Sequence, residues 1–323
     1  MSSEGIGPRD PGQRLPLWLL AAVLGYLLLT WLFGGADTLA AGKRIGGWWV
    51  VVGLLLTVAN FAIRALRWQF LLRRMDACVP WRANLTIYLA GIGLSATPGK
   101  VGETVRSALL LRQGVPVGTS LAAFLADRLS DLQAVLLLAL LPLAWTLGWD
   151  HSDAMRWVVV LALVTAAPMV FAGIVRTRAW PRLLRALSSM RFMGRLADWV
   201  RRGALDFVRL WNPAVALVSI ACSLLAYGLQ GAIFAGMVGQ VAPQVGAATA
   251  LSIFAAATLA GAASFLPGGV GAMELALVLL LRHQGVDSAS GLAAALCLRA
   301  VTFWFGLLLG ALGLSLAARL PSR

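Results

Sequence analysis

Eight charged residues of this chain sit among apolar neighbours, and their spacing limits the chemistry open to them. Lys100, Glu103 and Arg106 lie in SATPGKVGETVR (95–106), and Asp127, Arg128 and Asp131 in LADRLSD (125–131). Glu274 closes SFLPGGVGAME (264–274), and Arg299 lies in LCLRAVTF (296–303). Carboxylates and guanidiniums so placed can pair with one another, hold an anionic ligand or gate its path. They do not form a nucleophile–base pair or a duplicated acidic pair. Cys78, Cys222 and Cys297 are scattered singly, and His151 and His283 have no ligand pattern around them. No metal, cofactor or enzymatic constellation is therefore expected.

Helix-breaking residues precede two of these charges. Pro98 and Gly99, with Gly102, come before Glu103; Pro267, Gly268 and Gly269, with Gly271, come before Glu274. A helix restarting at Val101 or Val270 would present free backbone N–H groups and the positive end of its dipole. Such a terminus attracts phosphate or carboxylate, and glycine allows a ligand to approach the backbone closely. Glu103 and Glu274 fit two roles there: a contact in a site, or a carboxylate that simply complements the dipole.

The elements that must carry these residues are set by composition. The chain of 323 residues is 60% hydrophobic and 12% charged, with a mean hydropathy of +0.83. A soluble domain would carry about 25% charged residues, so the fold class is an all-α polytopic membrane protein. The net charge of +14 falls in loops beside apolar runs, which points to membrane orientation and anionic lipid rather than nucleic acid.

Six full spans and two re-entrant helical hairpins account for the pattern. After a tail (1–16), the run Leu17–Phe33 reads as an uncleaved first span with an external loop, together 17–47. The unit 48–147 holds a span over Trp48–Ile63, a re-entrant hairpin 83–114 and a span from 117. The stretch 148–212 holds a fourth span (157–175) and a basic amphipathic segment, 176–211, with nine arginines and two aspartates. That segment is either an ordinary positive-inside loop or a helix lying on an anionic leaflet. A second unit, 213–316, contains a hairpin at 246–284 and the last span from Gly291 to Leu316, before the tail 317–323. The basic loops 64–82 and 176–211 place both termini in the cytoplasm. Lys43 and Arg44 are the one local violation.

The two units repeat. With Pro98 set against Pro267, and Ala272 and Met273 as an insertion, Glu103 meets Glu274, Gln113-Gly114-Val115 meets Gln284-Gly285-Val286, and Arg128 meets Arg299. Sixteen of the 34 paired positions from Ser95 to Arg128 are identical. Three full crossings between the copies would turn the second upside down. That is the inverted-repeat plan of many transporters, in which broken helices meet at mid-membrane and line a polar cavity.

A charge within a span costs roughly 2.5–3.5 kcal/mol on insertion scales, so each invites a role. Asp127, Arg128 and Asp131 are close enough on one helix to pair, which leaves a self-satisfied ion cluster and a ligand site both open. The second copy keeps the arginine but carries Leu298 and Thr302 in place of the aspartates. Arg128 and Arg299 therefore need something common to both copies: Glu103, Glu274 or a ligand phosphate. Lys100 and Arg106 have no charged counterparts, which suits a sided function.

The motifs PGKVGETVRSALLLRQG, LADRLSD, LPGGVGAMELALVLLLRHQGV and LCLRAVTFWFGLLLGALG resemble the lysylphosphatidylglycerol synthase transmembrane-region family of flippase-like membrane proteins. The resemblance covers about 15–316. It implies a bacterial inner-membrane protein that handles anionic or phosphate-bearing lipids, or one that assists an envelope-lipid synthase for hopanoids, glycolipids or aminoacyl-lipids. A membrane-embedded lipid-modifying transferase is a third reading. Family members that synthesise lysyl-lipid carry a soluble catalytic domain after the membrane region, whereas this chain reaches Arg323 seven residues past its last span. No aminoacyl transfer is expected of it.

Overall fold

The computed structural model describes residues 11–94, 105–146, 170, 175 and 194–321, and their regular structure is entirely helical. The expected first helix break with Glu103 and Lys100, and most of the expected fourth span, lie outside the described residues. The helices are α1 (Pro11–Arg73), α2 (Trp81–Gly93), α3 (Val105–Leu111), α4 (Val117–Thr146), α5 (Gly194–Leu210), α6 (Pro213–Val241), α7 (Ala247–Ala263), α8 (Ala272–His283), α9 (Ser288–Arg299) and α10 (Phe305–Ala317). A short 3-10 turn, Pro267–Gly269, separates α7 from α8, and a π turn, Ala300–Trp304, joins α9 to α10.

Three of the described stretches are long and apolar enough to cross a membrane: Gly35–Arg73, Pro213–Val241 and Ser288–Ala317. α4 has 30 residues, about 45 Å of helix, but carries Asp127, Arg128 and Asp131 in its middle.

α1 corrects two expectations. In place of an external loop at 34–47, the helical path continues between two breaks at Gly35 and Gly46, whose φ values of 57° and 78° suit glycine alone. Ala41 and Ile45 in this stretch are buried in the core. At its other end α1 does not stop at Ile63 but runs on to Arg73. Arg64 and Arg67 are thus helical and inside the protein, rather than members of a cytoplasmic loop.

Close packing here depends on residues without side chains. The α2–α10 contact places Gly93 against Gly310, where a Cβ on Gly310 would come within 2.1 Å of the Gly93 nitrogen. A Cβ on Gly313 would likewise come within 2.6 Å of the Ala90 nitrogen. Small residues that let helix backbones touch are the usual means of helix association in membranes. α7 packs on α4 in turn. α1 and α6 also pack on each other.

Two contacts mark the ends of the apolar stretch Ser288–Ala317. Gln113 donates to the Pro321 carbonyl at 2.8 Å, just past the end of α10, whereas Arg44 donates to Ser290 Oγ at 3.1 Å at the start of α9. Some 30 residues of helix separate them.

α5 differs from a helix lying free on a lipid surface. Ala204, Phe207, Val208 and Leu210 are buried, and α5 packs on α4, so protein already covers its apolar face from Arg202 onward. Arg209 stays exposed.

Candidate functional site

The charges meet where α1, α4 and α6 cross. Arg64 and Arg67 stand on one face of α1, and Asp127 and Asp131 lie one turn apart on α4. Arg67 pairs with Asp127, with both side chains fully buried, and with Asp131 at 2.9 Å. Arg64 reaches Asp131 Oδ2 at 2.5 Å, and its guanidinium lies 5.1 Å from the Tyr227 ring centre. Arg128 reaches Asp127 at 2.6 Å and Asp131 at 3.4 Å. From α6, Ser223 accepts from Arg67 and donates to Asp131 Oδ1 at 3.1 Å. Two carboxylates thus share three guanidiniums and a hydroxyl, which provides the dense partnering that buried ions require.

A second assembly holds the Pro267–Gly269 break. Gly268, Gly269 and Gly271 have φ values of 60°, 65° and 87°, a conformation disfavoured for residues with a Cβ. α8 consequently begins at Ala272, two residues later than expected at Val270. Glu274 accepts from the Gly271 N–H through Oε2 at 2.8 Å. Arg299 donates to Glu274 Oε1 through Nε and to the Gly268 carbonyl through Nη2, each at 2.8 Å. The Phe303 ring, on the π turn, lies 4.1 Å from the Arg299 guanidinium. Of the two roles open to Glu274, the one visible here is at the N-terminus of α8, where its carboxylate accepts the Gly271 N–H.

Between the assemblies is a cavity of about 410 Å³. Arg64, Arg106, Arg128, Asp131 and Arg299 all line it, with Phe265 and Leu266 from the break. Phe265 has a positive φ of 54° and is 77% exposed.

Arg106 is placed unlike the other arginines. It is 2% exposed, yet its Nε and Nη1 have no hydrogen-bond partner. Aromatic faces hold it instead, with the guanidinium 4.4 Å from the Tyr88 ring centre and 5.3 Å from that of Trp68. Gly91 makes the room: a Cβ there would fall 2.1 Å from Arg106 Nε.

Of the residues singled out in the sequence, Asp127, Arg128 and Asp131 thus form one cluster; Glu274, Arg299, Gly268 and Gly271 form another; and Arg106 stands beside the cavity. Glu103, Pro98, Gly99 and Gly102 lie outside the described residues. The aspartates lock α4 to α1 and α6, rather than to the first hairpin. Sequence reasoning missed Arg64, Arg67 and Ser223. A signal was present, because Thr57, Asn60, Arg64 and Arg67 recur at three- and four-residue steps, a polar stripe along an otherwise apolar helix.

A family model described as the lysylphosphatidylglycerol synthase TM region matches residues 18–310. Two curated relatives, both called UPF0104 membrane protein, come from Methanothermobacter thermautotrophicus. The first is 24% identical, over 94% of this chain and 93% of its own length. The second is 20% identical, over 88% and 90% respectively.

Proposed function

The chain belongs to the lysylphosphatidylglycerol synthase TM region family, and on that premise we propose that it is a transporter moving a polar, phosphate-bearing lipid between leaflets of the cytoplasmic membrane. The observation that carries this reading is the cavity walled by arginines from both repeats: Arg64, Arg106 and Arg128 from the first, Arg299 from the second. Guanidiniums suit phosphate through their planar fork of donors. Each repeat would comprise a span, a re-entrant hairpin and a span, within six crossings and with both termini cytoplasmic.

Two features support an inverted relation between the repeats. The first hairpin helix of each packs on the closing helix of the other. The repeated Gln-Gly-Val also meets the last span at opposite ends, through Gln113 at Pro321 and through Val286 beside the start of α9. A cavity bounded by both copies would then open to either leaflet as the copies rock against each other.

The test is lipid movement by the whole chain in proteoliposomes carrying a fluorescent phosphatidylglycerol analogue in both leaflets. An impermeant quencher destroys only outer-leaflet signal unless lipid crosses. Protein-dependent loss of the inner-leaflet signal is expected. Its absence with every phospholipid tried would sink transport and favour a partner of an envelope-lipid synthase. Cysteines at positions 99 and 268 should label from opposite faces.

A further inference from the structure

Every described carboxylate in the cavity's charged walls already has guanidinium partners. Arg64, Arg67 and Arg128 surround Asp127 and Asp131, and Arg299 holds Glu274. Arg106 is the guanidinium left over: buried, facing the cavity, and with two of its nitrogens, Nε and Nη1, unpartnered. A buried cation without a carboxylate is costly unless an anion completes it.

The repeat shows that this arrangement is a specific addition. In the alignment Arg106 corresponds to Leu277, which is wholly buried in the apolar core of the second unit. Extended upstream without a gap, the alignment sets Tyr88 against Ala257 and Gly91 against Ala260. The guanidinium, the ring beneath it and the glycine that admits it are therefore all absent from the second copy. Structural packing needs none of the three there.

We propose that Arg106, clamped by Tyr88 and Trp68, is the phosphate-coordinating residue of the cavity, binding the anionic phosphate of an amphiphile from the first repeat alone. This inference rests on the lipid-transport reading and assigns its headgroup contact. Arg128 and Arg299, the pair retained in both repeats, are committed to carboxylates and hold the walls. The aromatic clamp fixes the guanidinium without using its donors, so Nε and Nη1, which no hydrogen bond occupies, stay available to oxyanions. Phe265 and Leu266, exposed at the cavity, supply an apolar exit for the lipid tails. Because only one repeat carries the contact, the phosphate is gripped asymmetrically along the path.

The test uses the full chain in detergent and in proteoliposomes, with phosphatidylglycerol, neutral diacylglycerol and inorganic phosphate as probes. Phosphatidylglycerol should raise the melting temperature of the wild type, and diacylglycerol should not. Arg106→Met keeps an apolar filling between the rings and strands no carboxylate, so its ligand-free melting temperature should stay close to that of the wild type. Its need for phosphatidylglycerol should rise at least tenfold, with a matching loss of movement. Arg106→Lys should fall between them. Gly91→Ala retains the arginine but displaces its guanidinium, and should reproduce the binding loss. It carries the test with Arg106→Lys if Arg106→Met fails to fold.

Unchanged binding and movement in Arg106→Met and Gly91→Ala would overturn the assignment of Arg106 while leaving transport intact. Stabilisation by inorganic phosphate alone, lost in Arg106→Met, would overturn the amphiphile in favour of a free-phosphate site. A wild type that neither binds nor moves phosphatidylglycerol would overturn the transport reading itself.

Discussion

Arg299 and Glu274 are joined at 2.8 Å across the second helix break, and the same guanidinium reaches back to the Gly268 carbonyl. One side chain of the closing span thus holds both sides of the turn. Arg299→Gln would remove the Arg299 guanidinium from Glu274, which is 6% exposed; removing one partner of a buried pair commonly costs about 3–5 kcal/mol. A large fall in melting temperature is expected, together with loss of the loop geometry. Arg299→Lys should recover part of it, because an ammonium can meet Glu274 but cannot also span to Gly268. A normal melting temperature for Arg299→Gln would exclude the clamp.

The Arg67 cluster gives a ranked expectation. Arg67→Met removes the shared partner of Asp127 and Asp131 and should destabilise by about 3–5 kcal/mol. Asp127→Asn should be milder, because Arg67 keeps Asp131 and Ser223. Ser223→Ala should cost only about 1 kcal/mol, the scale of one hydrogen bond. Thermal unfolding of the three variants in one detergent checks the order; Ser223→Ala as the worst of them would contradict the geometry.

The helix break between α7 and α8 was legible in the sequence because its punctuation is local. Pro267, Gly268 and Gly269 break α7, and Gln284-Gly285 ends α8 at the positions read from residue type alone. Arg299 stood out in the sequence with Glu103, Glu274 or a ligand phosphate as its candidate partners, and in the fold it meets Glu274, whereas Arg128 meets Asp127 and Asp131. The α1 arginines were not legible as site residues, because their burial depends on Asp127 and Asp131 arriving from 60 or more positions away. A lone arginine after an apolar run looks like a loop until its partner is known. Arg106 was noticed for lacking a charged counterpart, but its aromatic clamp joins Trp68, Tyr88 and Gly91 from two other helices, which no local pattern reports.

Gly310 tests the close contact between the repeats. Its added Cβ would meet Gly93 backbone at 2.1 and 2.2 Å, and backbone cannot turn aside as a flexible side chain can. Gly310→Ala should therefore push α10 from α2, with a loss in the overpacking range of about 1–3 kcal/mol or more. Gly239→Ala, with nothing within 4 Å of the added methyl, serves as the matched control in α6 and should be nearly neutral. Equal melting temperatures for the two variants would contradict the packing described between α2 and α10.

Asp287 offers a pH-dependent expectation at the end of the last span. Its Oδ1 accepts from the Ser290 backbone N–H at 2.8 Å and caps α9. That backbone hydrogen bond favours the charged form and holds the carboxyl below its ordinary range. Because the folded pKa is the lower one, the stabilisation is fully present above the unfolded value of about 3.9 and is lost as pH falls through the folded value. Asp287→Ala should cost about 1 kcal/mol at neutral pH, as loss of an N-cap does. The side chain is largely solvated, so the charged part of that effect is small. Asp287→Asn retains a cap acceptor without titrating and should stay close to the wild type at neutral pH. Hydrogen exchange in the first turn of α9, followed from pH 7 down to roughly pH 2, separates these cases. The gap between wild type and Asp287→Ala should shrink on acidification, while that between Asp287→Asn and Asp287→Ala should not. A wild-type gap that stays constant across the range would show that the carboxylate charge contributes nothing to the cap.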